Sequence, residues 1–215
     1  MDGYAGSNAI PNVTLVGCLA HARRKFNDAL KALPQGQKDA DVPAKEGLNF
    51  CNQLFAIERK LAELAPEERY KQRLELSRPV LEAFSTWIKF QTPWVLPKSA
   101  LGQAIAYCKS QWPKLIAFLQ DGRLEIDNNR SERSIKPFVI GRKNWMFANT
   151  PREATASATI YSIVESAKEN GLNPYSYLRY LFEQLPNMDI QNKAALDTML
   201  PWATEILEFC RVNKR

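Results

Sequence analysis

The sequence predicts a mainly α-helical chain with a few short strands, and three observations lead there. Apolar residues recur at helical spacing through most of the 215 positions. Prolines and glycines punctuate those stretches at plausible helix ends rather than every few residues, as hairpins would require. Segments that read as extended are few and short: Val13-Thr14-Leu15-Val16, Leu124-Glu125-Ile126, and pieces around Val139-Ile140 and Trp145-Met146-Phe147.

Taken in order, residues 2–6 read as a glycine-rich turn and 13–16 as a strand. Residues 18–33 place Leu19, Ala22, Phe26, Ala29, Leu30 and Leu33 on one helical face, and Pro34-Gln35-Gly36 stops the helix. A second helix is expected over 43–64, carrying Leu48, Cys51, Leu54, Phe55, Ile57 and Leu61. Pro66-Glu67-Glu68 opens a third, with proline in the first turn and acids facing the positive end of the helix dipole. Its apolar set is Leu74, Leu76, Val80, Leu81, Phe84, Trp87 and Ile88, and Pro79 is expected to kink or split it. Residues 98–119 read as helix interrupted at Pro113, with Tyr107, Trp112 and Phe118 as core. A short extended piece at 124–126 precedes a short helix over 129–136, then the extended residues named above. Residues 151–169 form a helix closed by Asn170-Gly171. Asn173-Pro174 then opens another, which runs to about 185. A last helix over 197–212, broken near Pro201, completes the series.

Composition narrows the chemistry. Hydrophobic residues make up 45% and charged residues 24%, as in an ordinary soluble domain. No apolar run approaches the roughly 20 residues that span a bilayer, and no secretory leader opens the chain, so a cytoplasmic location is expected. Cys18, Cys51, Cys108 and Cys210 lie far apart without CxxC spacing. His21 is the single histidine, which excludes a Cys2His2 finger and argues against a Ser-His-Asp triad. Any metal would need oxygen ligands, which favours magnesium or manganese. Net charge is +6, and the basic residues gather in two places. One holds Arg23, Arg24, Lys25 and Lys31; the other holds Arg130, Arg133, Lys136, Arg142 and Lys143. Such clusters suit phosphates if the fold joins them.

The densest chemistry lies in Glu125-Ile126-Asp127-Asn128-Asn129-Arg130-Ser131-Glu132-Arg133. A carboxylate among arginines fits a metal-assisted phosphate site. A helix start also fits, since Asn129-x-x-Glu132 approximates a capping box and Asp127 can cap the helix that presents Glu132. The residues alone leave both readings open.

Three segments resemble the transposases of the insertion-sequence-66 family. The first joins Asp2-Gly3-Tyr4-Ala5-Gly6 to Gly17-Cys18-Leu19-Ala20-His21-Ala22-Arg23-Arg24-Lys25-Phe26. The second joins Ile126-Asp127-Asn128-Asn129-Arg130-Ser131-Glu132-Arg133 to Gly141-Arg142-Lys143-Asn144-Trp145, and the third is the run 166–178. The resemblance implies a ribonuclease-H-like α/β core, here truncated and interrupted by a large helical insertion, with an Asp-Asp-Glu site that uses Mg²⁺ or Mn²⁺ on DNA. It implies Asp2 as the second acid and Glu132 as the third, both metal ligands. It further implies DNA contacts from His21, Arg23, Arg24, Arg130, Arg133, Arg142 and Lys143. The plain structural reading of Lys168 and Tyr177 is support of the C-terminal helices. The corresponding division is 1–35 partial core, 36–120 all-helical insertion, 121–150 core remainder with the glutamate motif, and 151–215 C-terminal helical segment.

Departures are specific: Ser7 stands where the family commonly has tyrosine and Leu19 where it has tryptophan. The family's first acid lies upstream of the second. A catalytically incomplete C-terminal half is therefore the expectation, with DNA ends, target DNA and an intact transposase or the missing half as partners. Two other classes remain: a DNA-binding remnant that regulates an intact transposase, and a protein-interaction domain built on 36–120.

Overall fold

The computed structural model describes residues 13–34, 41–145, 150–206 and 208–212. Those residues form eight α-helices: α1 (Leu19–Lys31), α2 (Pro43–Lys60), α3 (Pro66–Gln91), α4 (Ala100–Leu115), α5 (Asn129–Trp145), α6 (Pro151–Glu169), α7 (Pro174–Gln184) and α8 (Lys193–Asp197). The chain divides into two units, Met1–Arg130 and Ser131–Arg215.

In the first unit α1 packs on α2 and α4, and α3 closes the group. Leu19, Ala22, Phe26 and Ala29 of α1 are buried, as the periodicity predicts. Phe26 sits at the centre, its ring 5.9 Å from Phe84 and 5.8 Å from Trp87. Phe50 stacks on Phe84 at 5.1 Å and Trp112 meets Phe84 edge-on at 5.6 Å. Each such pair adds about 0.5–1.5 kcal/mol beyond the area it buries. Gly47 admits this packing: a Cβ there would lie 2.5 Å from the Phe26 ring. Phe118 is fully buried, and Tyr107 and Trp112 pack against the same cluster.

Pro79 does not split α3. Its ring removes one helical hydrogen bond, but Ser77 and Leu81 on either side of it, with Phe84, Trp87 and Ile88 beyond, are all buried and hold the helix as one. Leu76, expected inside, is 42% exposed. Its place on the buried stripe belongs to Arg73.

In the second unit Thr150 caps α6, its hydroxyl accepting from Glu153 N. Asn170 and Gly171 end α6, with Gly171 at φ 71° where an L side chain would be strained. Asn173 caps α7 by accepting from Ser176 N at 3.1 Å, and Pro174 follows at the first position. Ala167, Leu172, Tyr177, Ile206 and Cys210 form a small core. The Tyr177 hydroxyl donates to Met199 O at 2.7 Å, and burial pushes the phenol up to about 12.

Several expectations fail. Residues 13–16 are not a strand; the segment is irregular up to Gly17, whose N–H donates to Lys114 O. The extended piece expected around 139–140 is helix, and α5 runs unbroken to Trp145. Val139 and Ile140 are 48% and 67% exposed; among the described residues no neighbouring strand rewards their β-branched side chains, and the backbone bonds within the helix instead. The last helix expected over 197–212 is not seen among the described residues: α8 ends at Asp197, turns follow, and Glu208–Cys210 is a 3₁₀ turn. The chain end spends its backbone groups on the α6–α7 turn instead: Asn173 N donates to Cys210 O at 2.7 Å and Val212 N to Gly171 O at 2.9 Å. Among the described residues the single β pairing is the bridge Leu172–Arg211, so they form no sheet of a ribonuclease-H-like core. None of their helices is long and apolar enough to cross a membrane.

Candidate catalytic motif

The approach to the glutamate motif is fixed by a guanidinium. Arg73 is buried and makes a bidentate pair with Glu58, Nε to Oε1 at 2.9 Å and Nη2 to Oε2 at 2.7 Å. Its remaining donors reach three carbonyls of one segment: Phe118 O and Asp121 O from Nη1 at 2.9 Å each, and Leu124 O from Nη2 at 2.8 Å. The five N–H groups of arginine in a planar fork suit this task, which a lysine could not perform. The guanidinium also stacks over the Phe118 ring at 5.2 Å.

Within that segment, Arg123 donates to Asp121 through both its backbone and its side chain. The side-chain hydrogen bond leads in holding the Asp121 carboxyl down at about 2. Gly122 passes so close to α3 that a Cβ would meet Pro66 O at 1.8 Å. Ile126 is buried and its carbonyl accepts from Leu19 N at 3.0 Å, tying the motif to the start of α1.

Asp127 spends both carboxylate oxygens on the helix start, Oδ1 accepting from Asn129 N at 3.0 Å and Oδ2 from Asn129 Nδ2 at 2.7 Å. This is the capping role read from the sequence. Asn128 Oδ1 is buried without a hydrogen-bond partner among the described residues. Arg130 pairs with Glu125 at 3.6 Å, both partners about half-exposed, so the contact contributes little. Glu132 is exposed in the first turn of α5, where the helix dipole favours its charge. Arg133 is exposed beside it.

Arg142 and Lys143 fall on the same helix as Glu132 rather than on a following strand. At 1.5 Å per residue they lie about 15 Å further along its axis. Ser134 and Glu169 join α5 to α6 through a 3.3 Å hydrogen bond, and the Tyr161 hydroxyl donates to Ser134 O.

On α1, Arg23 is exposed yet engaged: Nε donates to Asn52 Oδ1 at 2.7 Å and the guanidinium lies over Phe55. Arg24 is exposed, His21 is half-buried, and Lys25 lies over the Tyr107 ring at 5.1 Å. These residues belong to the first unit, together with Arg130; Glu132, Arg133, Arg142 and Lys143 belong to the second. Asp2 lies outside the described residues. Lys168 pairs with Glu165 at 2.6 Å on α6, a support role that Tyr177 shares through its bond to Met199.

The described residues by themselves do not make a divalent-metal site. No three of their His, Cys, Asp or Glu side chains converge, and Asp127, five residues before Glu132 in the sequence, accepts hydrogen bonds from Asn129 through both carboxylate oxygens. The buried guanidinium escaped the sequence reading. Its signal was its position, four residues before Ser77 and eight before Leu81 on the stripe that α3 buries.

Comparison with known proteins matches the order of these motifs. The profile of the transposase IS66 family covers residues 1–156, and that of the IS66 C-terminal element covers 162–202. The protein y4jD of Sinorhizobium fredii is 34% identical over 212 residues, covering 94% of this chain and 40% of its own length. The protein y4hP of the same organism is 29% identical over 205 residues, 92% of this chain and 36% of its own. The chain thus spans about 40% or less of the length of these relatives, whose names state no activity. No solved structure matches it. With a family profile over most of its length and the C-terminal element following in order, the chain belongs to the transposase IS66 family.

Proposed function

We propose that this chain serves DNA transposition as the part of an Asp-Asp-Glu transposase that carries the second and third acids, Asp2 and Glu132. The observation that carries the proposal is the family match across 1–156, which contains the motif from Glu125 to Arg133. The local structure supports it. Asp127 caps α5, Arg73 fixes the segment leading in, and Glu132 is left on an exposed first turn where a substrate can reach it. In this reading residues 1–35 and 121–150 belong to a ribonuclease-H-like catalytic unit, 36–120 are its helical insertion and 151–215 its C-terminal helices. Mg²⁺ or Mn²⁺ is the expected cofactor; Asp2 and Glu132, together with the first acid, would hold it, and it would supply activation of the attacking oxygen and stabilisation of the leaving one. Arg133, Arg142 and Lys143 would face DNA phosphates.

In the family pattern the first acid precedes Asp2, so cleavage needs the part that bears it, joined to this segment or supplied beside it. The test is strand transfer on cognate ends with that part present. Glu132→Gln and Asp2→Asn should each lower the rate more than about 100-fold, since even partners of metal ligands are worth 10–100-fold. Folding of Glu132→Gln should be unchanged. Activity of Glu132→Gln near the unsubstituted level would sink the assignment.

A second reading, a DNA-binding segment that regulates an intact transposase, is favoured by the exposure of Arg24, Arg130 and Arg133. Charge reversal at Arg130, Arg133 and Arg142 should then abolish binding that is steeply salt-dependent. Binding that ignores salt would exclude it.

A further inference from the structure

Residues 83–120 contain no Asp or Glu and four lysines, Lys89, Lys98, Lys109 and Lys114. At the average density of acids in this chain, such a stretch would hold about four. The fold gathers it into one place: the C-terminal half of α3, a 3₁₀ turn at Thr92–Trp94, and α4. There Lys89 from α3 and Lys109 from α4 line a single groove of about 380 Å³, with Ser85, Thr92, Pro93 and Trp112. Both lysines are exposed, and among the described residues neither has a carboxylate partner.

Two ammonium groups brought to one groove without a counter-charge repel each other and raise the local potential. A partner that supplies regularly spaced negative charge relieves this. Trp112 and Pro93 line the same groove and offer apolar surface on which lysine stems can lie. A groove lined by two lysines and by no carboxylate therefore complements a polyanion.

We propose that this groove on the helical insertion holds backbone phosphates of duplex DNA, a contact surface separate from the Glu132 motif. The proposal rests on the reading of the chain as a DNA-handling segment. It assigns the insertion a share of the DNA grip, contributed without base recognition because lysine ammonium groups position DNA rather than read it.

The test is fluorescence anisotropy of the full 215-residue chain on a labelled duplex across a salt series, for the unsubstituted chain, Lys89→Gln/Lys109→Gln and Arg133→Gln. Both lysines are surface residues, so circular dichroism should show the fold retained. The double variant is expected to lower the slope of log affinity against log salt by about 2, equally on cognate ends and on an unrelated duplex. Salt-dependent binding by the unsubstituted chain with an unchanged slope in the double variant overturns this proposal and leaves the DNA reading standing. In that case, self-association lost in Trp94→Ala would assign the face to a second copy. No binding by the unsubstituted chain overturns both.

Discussion

The two units of this chain hold themselves together in different ways. The first, up to Arg130, is organised around interlocking aromatic rings from α1, α2, α3 and α4, with a buried ion pair beside them. The second has a core of five residues, of which one is an alanine and one a cysteine, and it leans on caps and backbone bonds. Ile135, Val139 and Ile140 of α5 are all more than 45% exposed, so these three side chains gain little from burial. Side-chain packing stabilises the first unit; hydrogen-bonded helix ends stabilise the second. Perturbations of each kind should therefore act on different units.

The largest effect is expected from Arg73→Met. It strands Glu58 at 12% side-chain exposure and leaves the carbonyls of Phe118, Asp121 and Leu124 without their donor. Removing one partner of a buried pair costs about 3–5 kcal/mol. Urea denaturation of the whole chain measures it, and a loss below about 1 kcal/mol would mean that water replaces the guanidinium. Next comes thiol accessibility. Cys51 and Cys108 are fully buried and their thiols are pushed up by burial, Cys51 to about 12. Cys210 is equally covered but in the small core. A thiol reagent should label Cys210 first by local opening, as cores with few apolar contacts open most readily. Labelling of all four cysteines at one rate would show that the units unfold together.

A smaller effect is expected at Asn173→Ala, about 1 kcal/mol from the lost cap of α7, with the first unit unaffected. Hydrogen exchange resolved by segment separates the two. The smallest is a pH effect. Burial raises the Tyr177 phenol from 10.0 to about 12, so the native state holds its proton more tightly than the unfolded chain does. Its stabilising contribution is full below pH 10 and is lost as pH rises through about 12. Tyr177→Phe should remove that decline between pH 10 and 12, which a comparison of the two alkaline denaturation curves would reveal.

Helix starts and stops were legible because each is local: Pro66, Asn170-Gly171 and Asn173-Pro174 act within one turn of themselves. The core face of α1 followed from spacing alone. What depended on partners was misread. The run Val139-Ile140 has a strand-like composition, but a strand needs a neighbour to pair with, and none is present among the described residues. Residues 13–16 failed for the same reason, and the final segment because its backbone bonds to residues some forty positions earlier. In the motif, Asp127 was legible as a cap since its partner is two residues away. Arg73 was not, since a single arginine on a helix ordinarily lies in water, and its partners come from 15 to 51 positions away.

That separation has a consequence for synthesis on the ribosome. Glu58 precedes Arg73, so the ion pair can form as soon as α3 has emerged. The three carbonyls follow 45, 48 and 51 residues later. Until they leave the exit tunnel the guanidinium has Glu58 and water as its partners. The native set of bonds at that corner can be completed only when the segment from Phe118 to Leu124 arrives. A chain interrupted before residue 124 would therefore lack the motif and also leave part of the Arg73 bond set in the first unit unmade.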